Sequence, residues 1–166
     1  KMFSVVTGRF NSETIIPNYE YRKRHNLKCI YCCPSRLSPK IPHESLVFVI
    51  EMNNTTNMIE GIGLIKNKFD LTKYYKVHSD PNSNRYIYIG NYFMDRKIIY
   101  DINSQLVDIL EQILFKGKTH SKRGSGLTTI PEKVLKLDIC KDINIKNEIK
   151  QLFIRCFSSE NIEDNN

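Results

Sequence analysis

The stretch Lys116-Gly117-Lys118-Thr119-His120-Ser121-Lys122-Arg123-Gly124-Ser125-Gly126 concentrates the residue types that hold phosphate. Its glycines free the backbone to turn N–H groups inward as an anion nest, and the hydroxyls of Thr119, Ser121 and Ser125 add donors. Lys116, Lys118, Lys122 and Arg123 supply the charge, with His120 among them. The tripeptide Gly117-Lys118-Thr119 is not a Walker A, because the first glycine of that pattern falls at Gln112 and no strand precedes the loop. The chemistry expected here is contact with a phosphate backbone, against the plainer reading of a flexible helix connection.

Aromatic residues interleave with bases farther up the chain. Tyr74, Tyr75, Tyr86, Tyr88, Tyr92 and Phe93 accompany His78, Arg85, Arg96 and Lys97. In a strand, Tyr86 and Tyr88 share one face, so with Arg85 they form a candidate stacking platform for an unpaired base. The alternative is that these tyrosines pack over the core with their hydroxyls at its edge.

The formal charge of +7 is unevenly distributed. Residues 22–40 carry Arg22, Lys23, Arg24, Lys28, Arg36 and Lys40 and no carboxylate, while residues 116–136 carry six cations against Glu132 alone. From the first block Arg22, Lys23, Arg24 and Arg36 join the candidate polyanion contacts. Charge of this kind speaks to partners and solubility, not to fold, and solvated faces are the bland alternative.

Other chemistry finds less support. Cys29 and Cys32 have ligand-like spacing, with His25, Cys33 and His43 nearby, but no second Cys-x-x-Cys or paired His completes a zinc set. Cys140 and Cys156 stand apart, and an odd count of five argues for reduced thiols rather than a disulfide framework. Glu51, Glu60, Asp70, Asp80, Asp95 and Asp101 show no compact pattern that would collect Mg²⁺. Tyr88-Ile89-Gly90 matches half of a GIY-YIG nuclease signature, yet Cys29-Ile30-Tyr31 lies too far away to be its other half. The expectation is a protein with no catalytic residues, no metal and no cofactor.

The elements that must position these residues follow from periodicity. A composition of 40% apolar and 26% charged residues is globular. No stretch approaches a membrane span and no signal peptide is evident, so an intracellular, soluble chain is expected. Residues 2–7 read as a strand, residues 18–24 as either a short helix or a basic loop, and residues 27–33 as a strand ending at Pro34. The run 45–52 is apolar without alternation, as in a strand buried on both faces. Across the Asn-rich turn 53–57, residues 58–66 should return as its antiparallel partner, with Gly61 and Gly63 marking a bulge or a close approach. Residues 85–90 form a third strong strand. A helix over 101–114, capped by Asp101 or Ser104, precedes the glycine-rich loop, and helices over 131–137 and 145–156 follow it. Strands first and helices later predict one α+β domain over residues 1–158 with a flexible polar tail at 159–166.

The segments from Phe48 to Ile65, Asn84 to Gly90 and Lys122 to Pro131 resemble a family of uncharacterised proteins of nucleocytoplasmic large DNA viruses. That resemblance implies residence in host cytoplasm, nucleus or virus factory, and carries no activity with it. More weakly, Leu46 to Leu64 resembles the hairpin of EVE, YTH and PUA-like domains, which implies an antiparallel, barrel-like sheet packed with C-terminal helices and a small pocket that accepts a base. The chain has no Trp, so the usual aromatic cage of methyl-adenine readers is missing. The leading expectation is a non-enzymatic DNA- or RNA-binding protein. The alternative is a viral structural or interaction module that binds an acidic protein partner or a second copy of itself. A helix-turn-helix reading of the last helices fits poorly, because the 115–130 connection is too long.

Overall fold

The apolar run at 46–52 requires cover on both faces, and it has it. The computed structural model describes residues 2–71 and 74–157, so the expected tail at 159–166 lies outside the described residues. At its centre is β3 (Leu46–Asn53), buried at every position. β3 pairs antiparallel with β4 (Met58–Lys66) and parallel with β1 (Phe3–Phe10). Two short strands, β6 (Tyr92–Asp95) and β7 (Leu127–Thr129), complete a five-stranded sheet of order β6-β4-β3-β1-β7. A separate antiparallel pair joins β2 (Cys29–Cys33) to β5 (Tyr86–Gly90). The helices are α1 (Ile15–His25), α2 (Arg96–Ile102), α3 (Ser104–Phe115), α4 (Glu132–Leu135) and α5 (Ile145–Cys156).

The α+β class stands, but the expected antiparallel barrel does not. The main sheet is mixed, because the 11–45 segment carries the chain from β1 to a parallel β3, a connection that only a crossover can make. Nor does any sheet among the described residues close into a barrel. The edge strands of the five-stranded sheet, β6 and β7, stand at opposite ends of its order, and the β2–β5 pair forms a separate sheet.

Three apolar clusters stack the layers. Phe48, Ile50, Met52 and Leu64 pack on Leu106, Leu110 and Leu114 of α3 and on Ile149, Leu152 and Phe153 of α5. From the opposite face of the sheet, Val6, Val47, Val49 and Ile65 meet Cys29, Tyr31, Cys33 and Tyr88 of the strand pair. Tyr21 of α1, with Tyr75 and Val77, covers Ile30 and Ile87 on the far side of that pair. The expected helix over 101–114 is two helices broken at Asn103, whose side-chain oxygen accepts from Leu106 N–H and so caps α3 in place of Asp101 or Ser104. The expected helix over 131–137 shortens to α4 and is followed by a 3-10 turn at Asp138–Cys140.

Gly61 and Gly63 face the strand pair, and here the expected close approach is found. A Cβ on Gly63 would overlap the Tyr31 hydroxyl, and one on Gly61 would overlap the Phe93 ring. The register of β3 shifts opposite them, between Glu51 and Met52. The space left by the absent side chains holds a polar cluster around Glu51, which is fully buried. Glu51 accepts from Arg22 Nη2 at 2.6 Å, from the Tyr31 hydroxyl at 2.5 Å and from the Tyr19 hydroxyl at 2.8 Å. The Arg22 guanidinium also lies over the rings of Tyr19 and Phe93, at 4.6 and 4.9 Å from their centroids. Burial, reinforced by the Glu51 charge, holds the Tyr31 phenol well above its ordinary value, so it remains a donor.

Arg22 is therefore not a polyanion contact, contrary to expectation: it is 7% exposed and committed to Glu51. A buried carboxylate and guanidinium hold only as a pair, because either alone is an uncompensated charge in a weakly polarisable interior. Glu51→Ala should lower unfolding free energy in urea by ~3–5 kcal/mol, whereas Arg22→Leu with Glu51→Leu should restore most of that loss. A Glu51→Ala protein within about 1 kcal/mol of the native one would contradict this role.

Candidate functional site

The glycine-rich loop 116–126 is held from below by Arg9, at the end of β1. Arg9 donates from Nη2 to the Gly126 carbonyl at 2.8 Å, from Nε to the Gly124 carbonyl at 3.1 Å and from Nη1 to the Ser121 carbonyl at 3.2 Å. A further bond from Nη1 to Thr7 Oγ1, at 3.0 Å, fixes the guanidinium to its own strand. One planar cation thus satisfies three carbonyls that a turning loop would otherwise leave unpaired. Burial draws the Arg9 guanidinium below its ordinary value, yet an arginine in a protein keeps its charge. Gly124 and Gly126 make the arrangement sterically possible, with φ of +107° and +70° in the region that side chains disfavour. Asn54, in the β3–β4 turn, donates from Nδ2 to the Lys122 carbonyl at 2.8 Å.

The loop is therefore built inside out relative to the expected nest. Three of its carbonyls face inward to Arg9, and three of its N–H groups are spent locally: His120 N–H on the Gly117 carbonyl, Ser121 N–H on the Leu114 carbonyl and Lys122 N–H on His120 Nδ1. What it offers outward is side chains. Lys116, Lys118, Arg123 and Ser125 are exposed, while His120, Ser121 and Lys122 are half-buried.

Beside this loop a cleft of about 400 Å³ opens between the end of β1, the start of α1, β2 and the 78–83 segment, with Gly126 and Leu127 completing its lining. The buried Asn84 shapes its outer wall, accepting from His78 N–H and donating to the His78 carbonyl at 2.7 Å. Asp80 caps the 3-10 turn Pro81–Asn84 by accepting from Asn82 N–H. Cys32 and Cys33 line the inner wall. Burial pushes the Cys33 thiol up to about 12, does the same to Cys29, and also raises Cys32, so all three are neutral thiols and poor nucleophiles. Among the described residues no group of three or more His, Cys, Asp or Glu is placed to hold a metal.

Pro34 separates this cleft from a second, larger groove of about 810 Å³ formed by residues 34–39 and 41–43 with Asn67, Phe69, Tyr86 and, at its buried floor, Tyr88. The exposed Arg36 lies over Phe69 and Tyr86, its Cζ at 5.3 and 5.6 Å from their centroids, and Arg85 reaches the same Tyr86 ring at 5.6 Å. Phe69 and Tyr86 meet edge to face at 5.2 Å.

The structure thus brings together Arg36, Arg85, Tyr86 and the loop residues, but not the whole expected set. Tyr88 is 1% exposed, with its hydroxyl accepting from Leu37 N–H, and belongs to the core rather than to a platform. Tyr86 half-emerges only because it sits at the strand's end. Lys23 and Arg24 are exposed on the last turn of α1, whereas the cleft meets the first turn of this helix, ~10 Å away along its axis. Arg9 was not among the expected residues: a single arginine outside both basic blocks gives no local sign that its partners lie more than 110 residues away.

Arg9→Ala should speed amide hydrogen exchange across residues 119–126 while leaving β3 and β4 protected. Arg9→Lys should rescue little, since a single ammonium cannot bond three carbonyls in the geometry of a planar fork. Unchanged exchange in the loop would show that Arg9 does not hold it. No protein-family model matches the chain, and neither the curated proteins nor the solved structures contain a match to it.

Proposed function

We propose that this protein binds nucleic acid without acting on it chemically, through the face formed by the 116–126 loop, the adjoining cleft and the Arg36–Tyr86 platform. The observation that carries this reading is convergence. Two cation-bearing segments far apart in sequence meet where Ser35 abuts Gly126: a Cβ on that glycine would come within 3.3 Å of Ser35 Oγ. Phosphate recognition asks for outward cations on a fixed backbone, and Lys122 and Arg123 on the Arg9-anchored loop have that form. Base recognition asks for a π surface, and Tyr86 with Arg36 has that form. No helix among the described residues is long and apolar enough to cross a membrane, so membrane attachment by a spanning helix has no candidate there.

Affinity for mixed-sequence oligonucleotides should fall steeply between ~50 and ~200 mM salt, as counterions released from phosphates cease to favour binding. Lys122→Ala with Arg123→Ala should lower the slope of log affinity against log salt by about 1.4 for a single strand, roughly 0.7 for each phosphate no longer neutralised. A salt-independent affinity, or a double variant indistinguishable from the native protein, would overturn the assignment. Co-purification with an acidic protein, without any such binding, would favour the interaction-module alternative.

A further inference from the structure

We infer that the polyanion is a single strand, and that it parts two neighbouring bases across the Pro34–Ser35 ridge, one entering the cleft and the other lying on Arg36 and Tyr86. This inference rests on the nucleic-acid reading above and names the form of nucleic acid that the same face takes.

The geometry is that of two seats with a wall between them. Cleft and groove share Pro34 alone among their lining residues, so they are separate concavities on either side of one ridge. From Cys33, which lines the cleft, to Arg36, which lies over the groove's aromatic rings, three residues span at most ~10 Å. The seats are therefore close enough for neighbouring nucleotides. They are not arranged for a stack. Bases of a duplex follow one another at ~3.4 Å per strand, face to face, and a stack of that kind cannot straddle a ridge with one member on each side. A single strand can, because its bases splay and stack on aromatic rings or guanidinium planes instead of on each other.

Each seat has the chemistry for one base. On the groove side, Arg36, Tyr86 and Phe69 form a packed cation–aromatic set with its arginine exposed. On the cleft side, the edge of β2 is available. The Ile30 carbonyl points away from β5, since it accepts from Asn18, and alternation along an antiparallel strand turns the N–H and C=O of Cys32 the same way. Cys32 lines the cleft, so a main-chain donor and acceptor stand there side by side, a pair suited to the polar edge of a base. The phosphate linking the two nucleotides then lies above Ser35 and Gly126, where the loop that carries Lys122 and Arg123 meets the ridge.

The test is fluorescence anisotropy with a short, labelled, mixed-sequence oligodeoxynucleotide and with its blunt duplex, at low salt. The single strand should bind at least about tenfold more tightly than the duplex. Tyr86→Ala, which removes the groove ring, and Ser79→Trp, which fills the mouth of the cleft from an exposed position, should each weaken single-strand binding by about tenfold and leave duplex binding unchanged. Tyr86→Phe, which keeps the ring, should bind as the native protein does, separating loss of stacking from loss of structure. Equal affinity for strand and duplex, or equal losses on both from the two substitutions, would overturn this inference while leaving the broader reading intact. Absence of binding to either form would overturn the reading and the inference with it.

Discussion

The buried pair of Arg22 and Glu51 fixes how the layers of this protein sit on one another. Glu51 sits on the central strand, Arg22 on α1, Tyr31 on β2 and Phe93 on β6, so this one cluster ties the main sheet, the strand pair and the first helix together. Apolar packing alone would hold those layers in contact but would specify their relative position less sharply. A guanidinium bonded to a carboxylate and enclosed by aromatic rings tolerates little sliding, because any displacement leaves a charge unpaired in the interior. Gly61 and Gly63 are the steric condition for the cluster, since side chains there would occupy the space that Tyr31 and Phe93 fill.

The candidate site inherits its shape from this pair. With α1 and β2 fixed against the sheet, the first turn of α1 and the edge of β2 stand apart from the end of β1, and the cleft is the gap between them. Arg9 then does at the surface what Arg22 does in the core, spending a planar cation on groups the fold would otherwise leave unpaired. The two arginines differ in what they satisfy. Arg22 neutralises a charge and so secures packing, whereas Arg9 satisfies carbonyls and so frees the loop's own lysines and arginine for a partner. In the proposed function, the outward charge of residues 116–126 is usable because an inward charge has already ordered the backbone.

Much of the scaffold is legible in the sequence because it rests on local pattern. The unbroken apolar run of β3, its return through the Asn-rich turn into β4, and the glycines opposite Glu51 all announce themselves within one hairpin. What is not legible depends on partners distant in the chain. Arg22 reads as one more cation in an acid-free block, although Glu51, a lone acid within an apolar strand, signals that some buried cation must answer it. Tyr88 reads as a face-mate of Tyr86, since period-two alternation says which residues share a face and not how deep each lies. The parallel register of β1 against β3 escapes because a crossover through α1 and β2 looks, residue by residue, like a meander. The split of the expected 101–114 helix turns on Asn103, whose capping bond is available to any Asn and is decided here by the packing of α3 beneath the sheet.

In the proposed function one face, spanning the end of β1, the Pro34–Ser35 ridge, Tyr86 and the 116–126 loop, receives the polyanion. Amide nitrogen–proton correlation spectra of the isotopically labelled protein, recorded while an oligonucleotide is titrated in, would locate that face residue by residue. Shift changes should map to Arg9, Cys32, Ser35, Arg36, Tyr86 and residues 118–126, with the outer surfaces of α3 and α5 silent. Changes confined to α3 and α5, or to the last turn of α1 around Lys23 and Arg24, would contradict it.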